Sequence, residues 1–167
     1  VAAKRHIFDG QGPACSAVIA VDDQLTAAIF DDLASHGAQR LIPVSTRGPV
    51  EGGIFVTDGA LHDALDGDAR RIASLTGIDS LAGGHNRQNA AVAYAIARAL
   101  GLAPDQAAAG LAGYPGLAHR MEPIATRHGV RYVNDSKATN AMAAAQGLAA
   151  FERIHWIAGG RGKDEDL

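Results

Sequence analysis

Apolar and polar residues follow one another in the first part of the chain as they do in an α/β protein. An apolar run at 17–21 predicts a buried strand. Asp23 is suited to cap a helix, and apolar residues then recur at helical spacing as far as Gly37. A second strand is predicted at 40–45, and its Pro43 favours a position near an edge of the sheet.

A hairpin and two helices are predicted next. Asp58-Gly59, between apolar segments at 54–57 and 60–62, is the two-residue signal of a type I′ turn. From Asn86 the pattern is helical, with Val92, Ile96 and Leu100 on one face. A further helix is predicted from Pro104 to about Leu111.

The last third of the chain has the element order of a βαβ unit. The segment 114–116 breaks the chain, and 130–134 alternates as a strand does. A polar loop, an Ala-rich helix to about residue 150 and an apolar run at 154–158 follow. The predicted class is therefore α/β, and ligands are expected at the carboxyl ends of the strands.

Composition favours a small-molecule ligand. The 167 residues are 47% hydrophobic and 20% charged, with a formal net charge of -3 and a pI of 6.1. No Lys/Arg-rich run indicates a nucleic-acid or membrane partner. The lone Cys15 is expected to be a buried thiol. Only three residues are lysine, against 12 arginines, so each lysine is a candidate for a role that Arg cannot fill.

Standard catalytic motifs are absent, and polar clusters at the ends of elements remain. The chain has no P-loop, no G-x-G-x-x-G, no zinc-ligand spacing and no G-x-S-x-G. At the predicted helix start, Asn86 has the plain interpretation of an N-cap. Asn89 lies one turn further on, and an Asn amide can pair with the N6 and N7 atoms of adenine.

The densest polar cluster is Asn-Asp-Ser-Lys-Ala-Thr-Asn at 134–140. It is either a solvated loop with Thr139 or Asn140 as N-cap, or a site in which Asp135 binds a polar group or the water of a cation while Lys137 and Thr139 bind an anion. The stretch 159–163 would bring Lys163 to the same edge of the sheet. The pair His119-Arg120 is either a surface pair or a guanidinium for phosphate or carboxylate.

Taken together, the motifs at 83–90, 116–122, 134–140 and 159–163 resemble those of the bacterial Mur ligases in order and spacing. The run at 134–140 resembles the branch of that family that adds D-glutamate. The first two motifs are shared more loosely with folylpolyglutamate synthases. The resemblance covers the whole chain, whose ends suggest an internal piece of a longer protein.

The resemblance implies two partial domains. Residues 1–116 would be the later half of a central P-loop-type α/β domain that binds ATP, with a small antiparallel element. Residues 117–167 would open a Rossmann-like, amino-acid-binding C-terminal domain with its first βαβ unit. The family uses ATP and Mg²⁺ to convert a carboxylate into an acyl phosphate, which an amine then attacks. The implied substrates are UDP-N-acetylmuramoyl-L-alanine and D-glutamate.

Site residues are implied in the same way. Lys4 would be the lysine that reacts with CO₂ and, as a carbamate, helps to hold Mg²⁺; a desolvated Lys can supply the neutral amine that this reaction needs, and Arg cannot. The remaining assignments are Lys137 and His119 as catalytic residues, Asn89, Arg120 and Asp135 for ATP, and Lys137, Thr139 and Lys163 for D-glutamate.

Three alternatives stay open. The chain could come from another Mur ligase or a folylpolyglutamate synthase, or it could bind an adenine nucleotide without turnover. Because it has no P-loop to hold the β and γ phosphates, we expect no amide formation by this chain alone. The whole enzyme is expected to be a cytoplasmic monomer.

Overall fold

The computed structural model describes residues 2–160. The helices and strands, in chain order, are α1 (Ala2–Arg5), β1 (Ser16–Ala20), α2 (Gln24–His36), β2 (Arg40–Ser45), β3 (Ile54–Thr57), β4 (Ala60–Asp63), β5 (Arg70–Ser74), α3 (Gly84–Ala99), α4 (Pro104–Ala112), β6 (Glu122–Arg127), β7 (Val130–Asn134) and α5 (Ala141–Leu148). Short 3-10 turns lie at His6–Phe8 and Asp79–Leu81. No helix in this range is long and apolar enough to cross a membrane.

Five strands form one mixed sheet in the order β1-β2-β3-β4-β5. The pairs β1-β2 and β2-β3 are parallel, whereas β3-β4 and β4-β5 are antiparallel. The turn between β3 and β4 confirms the predicted hairpin, because Asp58 and Gly59 have φ angles of 51° and 71°. The α/β class and the small antiparallel element are therefore as predicted.

The hydrophobic core lies between the sheet and α3. Ile42, Val44, Ile54 and Leu61 have no exposed surface, and the face of α3 packs against them. That face carries Ala90, Ala91, Tyr94 and Ala95, all at most 2% exposed. Small side chains let the helix lie close to the sheet, while the large ring of Tyr94 fills the remaining space.

The face of α3 that carries Val92, Ile96 and Leu100 is not the face that packs against the sheet. Ile96 is 45% exposed and Leu100 is 76% exposed, and Val92 is only partly buried. All three residues share helical spacing, but the alanines one position away have the same spacing. Periodicity cannot choose between two adjacent stripes when one is made of alanine, because alanine is compatible with both exposure and burial.

β2 lies near an edge of the sheet, next to the edge strand β1, although it is not itself the edge strand because it also pairs with β3. Pro43 is tolerated there because β3 pairs only with Val44 and Ser45, the last two residues of β2. On the other side, Val44 accepts a hydrogen bond from Val21, so Pro43 directs its nitrogen away from β1. The missing N–H therefore removes no bond of the sheet.

The chain after α4 forms a separate two-stranded sheet of β6 and β7. The strand at 130–134 and the Ala-rich helix are as predicted, and Asn140 is the N-cap of α5, accepting from the Ala143 N–H at 2.8 Å. The expected βαβ unit is incomplete. Residues 154–158 form no strand, since no described strand pairs with them, and β7 pairs with β6 in antiparallel orientation. Cys15 is exposed, so the expectation of a buried thiol is wrong.

Candidate functional site

The turn that precedes β6 is held in an unusual backbone conformation. His119 and Met121 have φ angles of 64° and 47°, in the left-handed region that non-glycine residues seldom adopt. The His119 N–H donates to Glu122 Oε2 at 2.7 Å, which compensates part of that cost. Between them, Arg120 forms a bridge with Leu117, and its side chain is exposed. Such strained conformations concentrate at functional sites.

The loop from Asn134 to Asn140 folds over this turn. The carboxylate of Asp135 accepts the Met121 N–H at 3.0 Å, and the Lys137 N–H donates to the His119 carbonyl at 2.9 Å. The Asn134 amide lies 2.9 Å from the His119 ring nitrogen Nδ1. Three residues of the sequence-predicted loop thus hold both sides of the turn, while Lys137, Thr139 and Asn140 in the same loop are exposed to solvent.

The start of α3 reaches the same place through His85. Burial lowers the pKa of His85; the Asp135 carboxylate opposes that shift and the Arg120 guanidinium adds to it. Burial therefore favours the neutral form of the His85 imidazole, which lies within electrostatic range of both groups. Its Nδ1 atom is buried and has no hydrogen-bond partner among the described residues.

Two glycines permit these close approaches. A Cβ on Gly83, whose φ is +89°, would stand 3.1 Å from the His85 ring and 3.2 Å from the Cβ of Ala150. A Cβ on Gly147 in α5 would stand only 2.7 Å from Oδ2 of Asp135. The N-terminus of α3, the loop after β7 and helix α5 therefore meet around Asp135.

A second polar cluster lies at the carboxyl ends of β1 and β2. Asp22 accepts hydrogen bonds from the Ser45 hydroxyl at 2.6 Å and from the N–H and hydroxyl of Thr46, both at 2.7 Å. The side-chain amide of Gln88 in α3 donates to the same carboxylate at 3.1 Å. These donors outweigh the cost of partial burial, and the pKa of Asp22 is lowered.

The sequence of the chain is similar to that of known ligases. No protein-family model matches the chain. The chain is 46% identical over 160 residues to the UDP-N-acetylmuramoylalanine–D-glutamate ligase of Phenylobacterium zucineum and 45% identical over 165 residues to that of Rhodospirillum rubrum. The matches cover 96% and 98% of this chain but only 34% of each relative.

Over this segment the chain is similar in sequence to these Mur ligases. It spans about a third of the length of the curated relatives that it matches. Among solved structures, a UDP-N-acetylmuramoylalanyl-D-glutamyl-2,6-diaminopimelate–D-alanyl-D-alanyl ligase from Acinetobacter baumannii matches with a TM-score of 0.61 and 25% identity, over 90% of this chain and 33% of that one. Crystal structure II of MurF from the same organism gives 0.58 and 26%, over 90% of this chain and 32% of that one.

Four residues singled out by resemblance to the Mur ligases lie together. His119, Arg120, Asp135 and Lys137 belong to the turn and the loop that fold on each other. Thr139 is exposed further along the same loop, where its N–H donates to the Lys137 carbonyl at 3.0 Å.

Other Mur-ligase positions lie apart or outside the described range. Lys4 is exposed in α1, and Asn89 is exposed on α3. Neither side chain forms a hydrogen bond with another residue of 2–160. Lys163 lies outside the described residues. Asn86 is not the N-cap, which is Gly83; its amide donates instead to the Ala82 carbonyl at 2.9 Å.

Sequence reasoning missed Asp22, Gln88 and the role of His85. Asp22 does carry a local signal, because it follows the predicted strand at 17–21 and α/β proteins place functional groups directly after their parallel strands. Gln88 carries no local signal, because its partner is 66 positions away in the chain.

Proposed function

We propose that the chain is part of an ATP-dependent ligase that joins D-glutamate to UDP-N-acetylmuramoyl-L-alanine through an acyl phosphate, in the synthesis of the peptidoglycan precursor. The name shared by the curated relatives, at 42 to 46% identity, supports this reaction. The run at 134–140 supports D-glutamate over the amino acids of sister ligases and over folylpolyglutamate synthases.

The observation that carries the proposal is the pair of cations beside the folded turn. Arg120 and Lys137 are both exposed, and within residues 2–160 neither forms an ion pair. The backbone of Lys137 is hydrogen-bonded to the residue before Arg120, so both side chains start from adjacent backbone. Cations placed together without carboxylate partners suit an anionic ligand such as a phosphate, and a guanidinium can bind it with two hydrogen bonds.

We assign the roles accordingly. Arg120 and Asp135 would contact ATP, and Asn89 would contact adenine. Lys137 and His119 would lie at the reacting groups, where positive charge neutralises a developing negative charge. Lys137, Thr139 and Lys163 would bind D-glutamate. Residues 1–116 would belong to the ATP-binding domain and 117–167 to the amino-acid-binding domain.

Mg²⁺ would be the metal partner of ATP, and it would supply charge neutralisation on the phosphates. Within residues 2–160, no group of three or more His, Cys, Asp or Glu side chains is arranged to hold a metal ion. The only metal contact that we propose from this chain is therefore a carbamate on Lys4. Lys4 is exposed, so the burial that a neutral, CO₂-reactive amine needs would have to come from parts of the whole enzyme outside residues 2–160. The whole enzyme would act as a monomer in the cytoplasm.

The test is a calorimetric titration of the chain with ATP and Mg²⁺ up to millimolar concentration. We expect binding that Arg120→Ala weakens about ten- to hundredfold, which is what the loss of a charge-assisted hydrogen bond implies. Arg127→Ala is the matched control, because Arg127 is also an exposed arginine of this region and lies at the far end of β6. An absence of ATP binding, or equal losses in both variants, would contradict the proposal.

A further inference from the structure

We propose that Asp22 and Gln88 form a positioning pair that fixes the first turns of α3, and with them Asn89, relative to the carboxyl ends of β1 and β2. The consequence for nucleotide binding through Asn89 rests on the proposed function, in which Asn89 contacts adenine. The pair itself is a structural device that can be tested without any nucleotide.

Asp22 is a junction of three segments. Its Oδ1 atom accepts from Ser45, and its Oδ2 atom accepts from Thr46 twice and from Gln88. A carboxylate has about four acceptor sites, and here three donors share Oδ2 while one occupies Oδ1. Three of these bonds hold the segment after β2 to the segment after β1. Only the bond from Gln88 extends this junction to a helix.

Helix α3 is held to the sheet by a carboxylate near each end. Near its C-terminus, Asp63 at the end of β4 accepts from the Tyr94 hydroxyl at 2.8 Å and from Nε of Arg98 at 2.9 Å. Near its N-terminus, Gln88 donates to Asp22. The alanines between these two points are apolar and make no directional contact of their own. Directional hydrogen bonds at two separated points therefore help to fix how the helix slides and rotates on the sheet.

The bond from Gln88 is next to the residue that the proposed function uses. Asn89 follows Gln88 directly. Its side chain is exposed and forms no hydrogen bond with another residue of 2–160. Its place in space is therefore set by the helix backbone. A small displacement of the first turns would move the Asn89 amide relative to any nucleotide held by Arg120 and Asp135, and recognition of a base edge depends on such placement.

The test compares Gln88→Met with Arg87→Met. Methionine has nearly the length and helix propensity of both residues, and it removes the donor. Arg87 is the neighbouring long side chain, and its guanidinium forms no hydrogen bond with the described residues. Its replacement therefore controls for the loss of a polar group at the start of α3. Hydrogen exchange of the backbone amides is measured in the chain without ligand, and ATP affinity is measured by titration.

We expect Gln88→Met to accelerate exchange at residues 87–90 about tenfold or more, the size expected when a hydrogen bond to a charged group is lost, and to leave residues 94–98 unchanged. ATP affinity should fall with it, and Arg87→Met should change neither. Unchanged exchange at 87–90, or equal acceleration throughout α3, would overturn the positioning role.

The outcomes separate this proposal from the proposed function. If the unmodified chain binds no ATP, the proposed function fails while the exchange result still decides whether Asp22 and Gln88 position the helix. If the chain binds ATP and Gln88→Met accelerates exchange without weakening that binding, the pair does not serve Asn89. Asp22→Asn is the second variant. An amide retains one acceptor oxygen, so its effect on exchange at 87–90 should be smaller than that of Asp22→Ala.

Discussion

Replacing Gly147 by alanine tests how closely α5 packs against the Asp135 carboxylate. Glycine inside a helix costs about 1 kcal/mol relative to alanine, so the substitution should be stabilising if nothing else changes. The added Cβ, however, would stand 2.7 Å from Oδ2 of Asp135 and 3.2 Å from the sulfur of Met121. The carboxylate must rotate or the helix must move.

Rotation of Asp135 would break its hydrogen bond with the Met121 N–H. A hydrogen bond to a charged group contributes about 1.5 to 3 kcal/mol. Subtracting the gain in helix propensity leaves an expected net loss of about 0.5 to 2 kcal/mol in the free energy of unfolding. Urea denaturation measures it.

Gly110→Ala is the matched control for Gly147→Ala. Gly110 also lies inside a helix, α4, and a Cβ there would meet nothing within 4 Å. It should stabilise the chain by about 1 kcal/mol. ATP affinity should fall in Gly147→Ala, because Asp135 is displaced, and stay the same in Gly110→Ala. If Gly147→Ala is as stabilising as Gly110→Ala, the reasoning about Asp135 is refuted.

Three further predictions concern the core, pH and D-glutamate. Tyr94→Phe removes a buried hydroxyl bonded to Asp63 and should lower the free energy of unfolding by about 1.5 to 3 kcal/mol in urea denaturation; no change would contradict it. The pKa of Asp22 is lowered in the folded state, so the ionised carboxylate stabilises the fold above its unfolded pKa, and this stabilisation is lost as pH falls through the folded pKa. The urea midpoint should therefore drop less between pH 6 and pH 3 in Asp22→Asn than in the unmodified chain. An equal drop in both would refute this. In a Mur ligase that carries this segment, Lys163→Met should raise the D-glutamate KM about ten- to hundredfold in steady-state kinetics. A tenfold rise in the ATP KM with no change in the D-glutamate KM would show that Lys163 binds the nucleotide and not D-glutamate.

Features decided by neighbouring residues could be predicted from the sequence. Asp23 caps α2, accepting from the N–H groups of Leu25 at 2.9 Å and Thr26 at 3.1 Å. The Asp58-Gly59 turn and the Asn140 cap formed where expected. Each of these depends on the geometry of two to four consecutive residues, which the residue types determine almost alone.

Features decided by distant partners could not be predicted in the same way. The buried stripe of α3 is set by the close approach of the sheet, which favours alanines over the larger Ile96 and Leu100. The run at 154–158 has strand-like composition, but a strand exists only where another strand pairs with it.

The candidate site shows the same division. Resemblance identified His119, Arg120, Asp135 and Lys137 as separate residues, and the fold brings them together. The hydrogen bonds that Asp22 accepts from β2, its following loop and α3 could not be predicted, because these segments are distant in the chain and meet only in the fold.

The most direct test of the account is an exchange of segments between two proteins. Residues 1–167 would replace the matching third of the Phenylobacterium zucineum ligase, to which they are 46% identical. Phosphate release is then measured with ATP, UDP-N-acetylmuramoyl-L-alanine and an added amino acid. The account predicts release that depends on D-glutamate and is not supported by L-glutamate or diaminopimelate. A chimera that unfolds cooperatively at the temperature of its parent yet releases no phosphate with D-glutamate would contradict it.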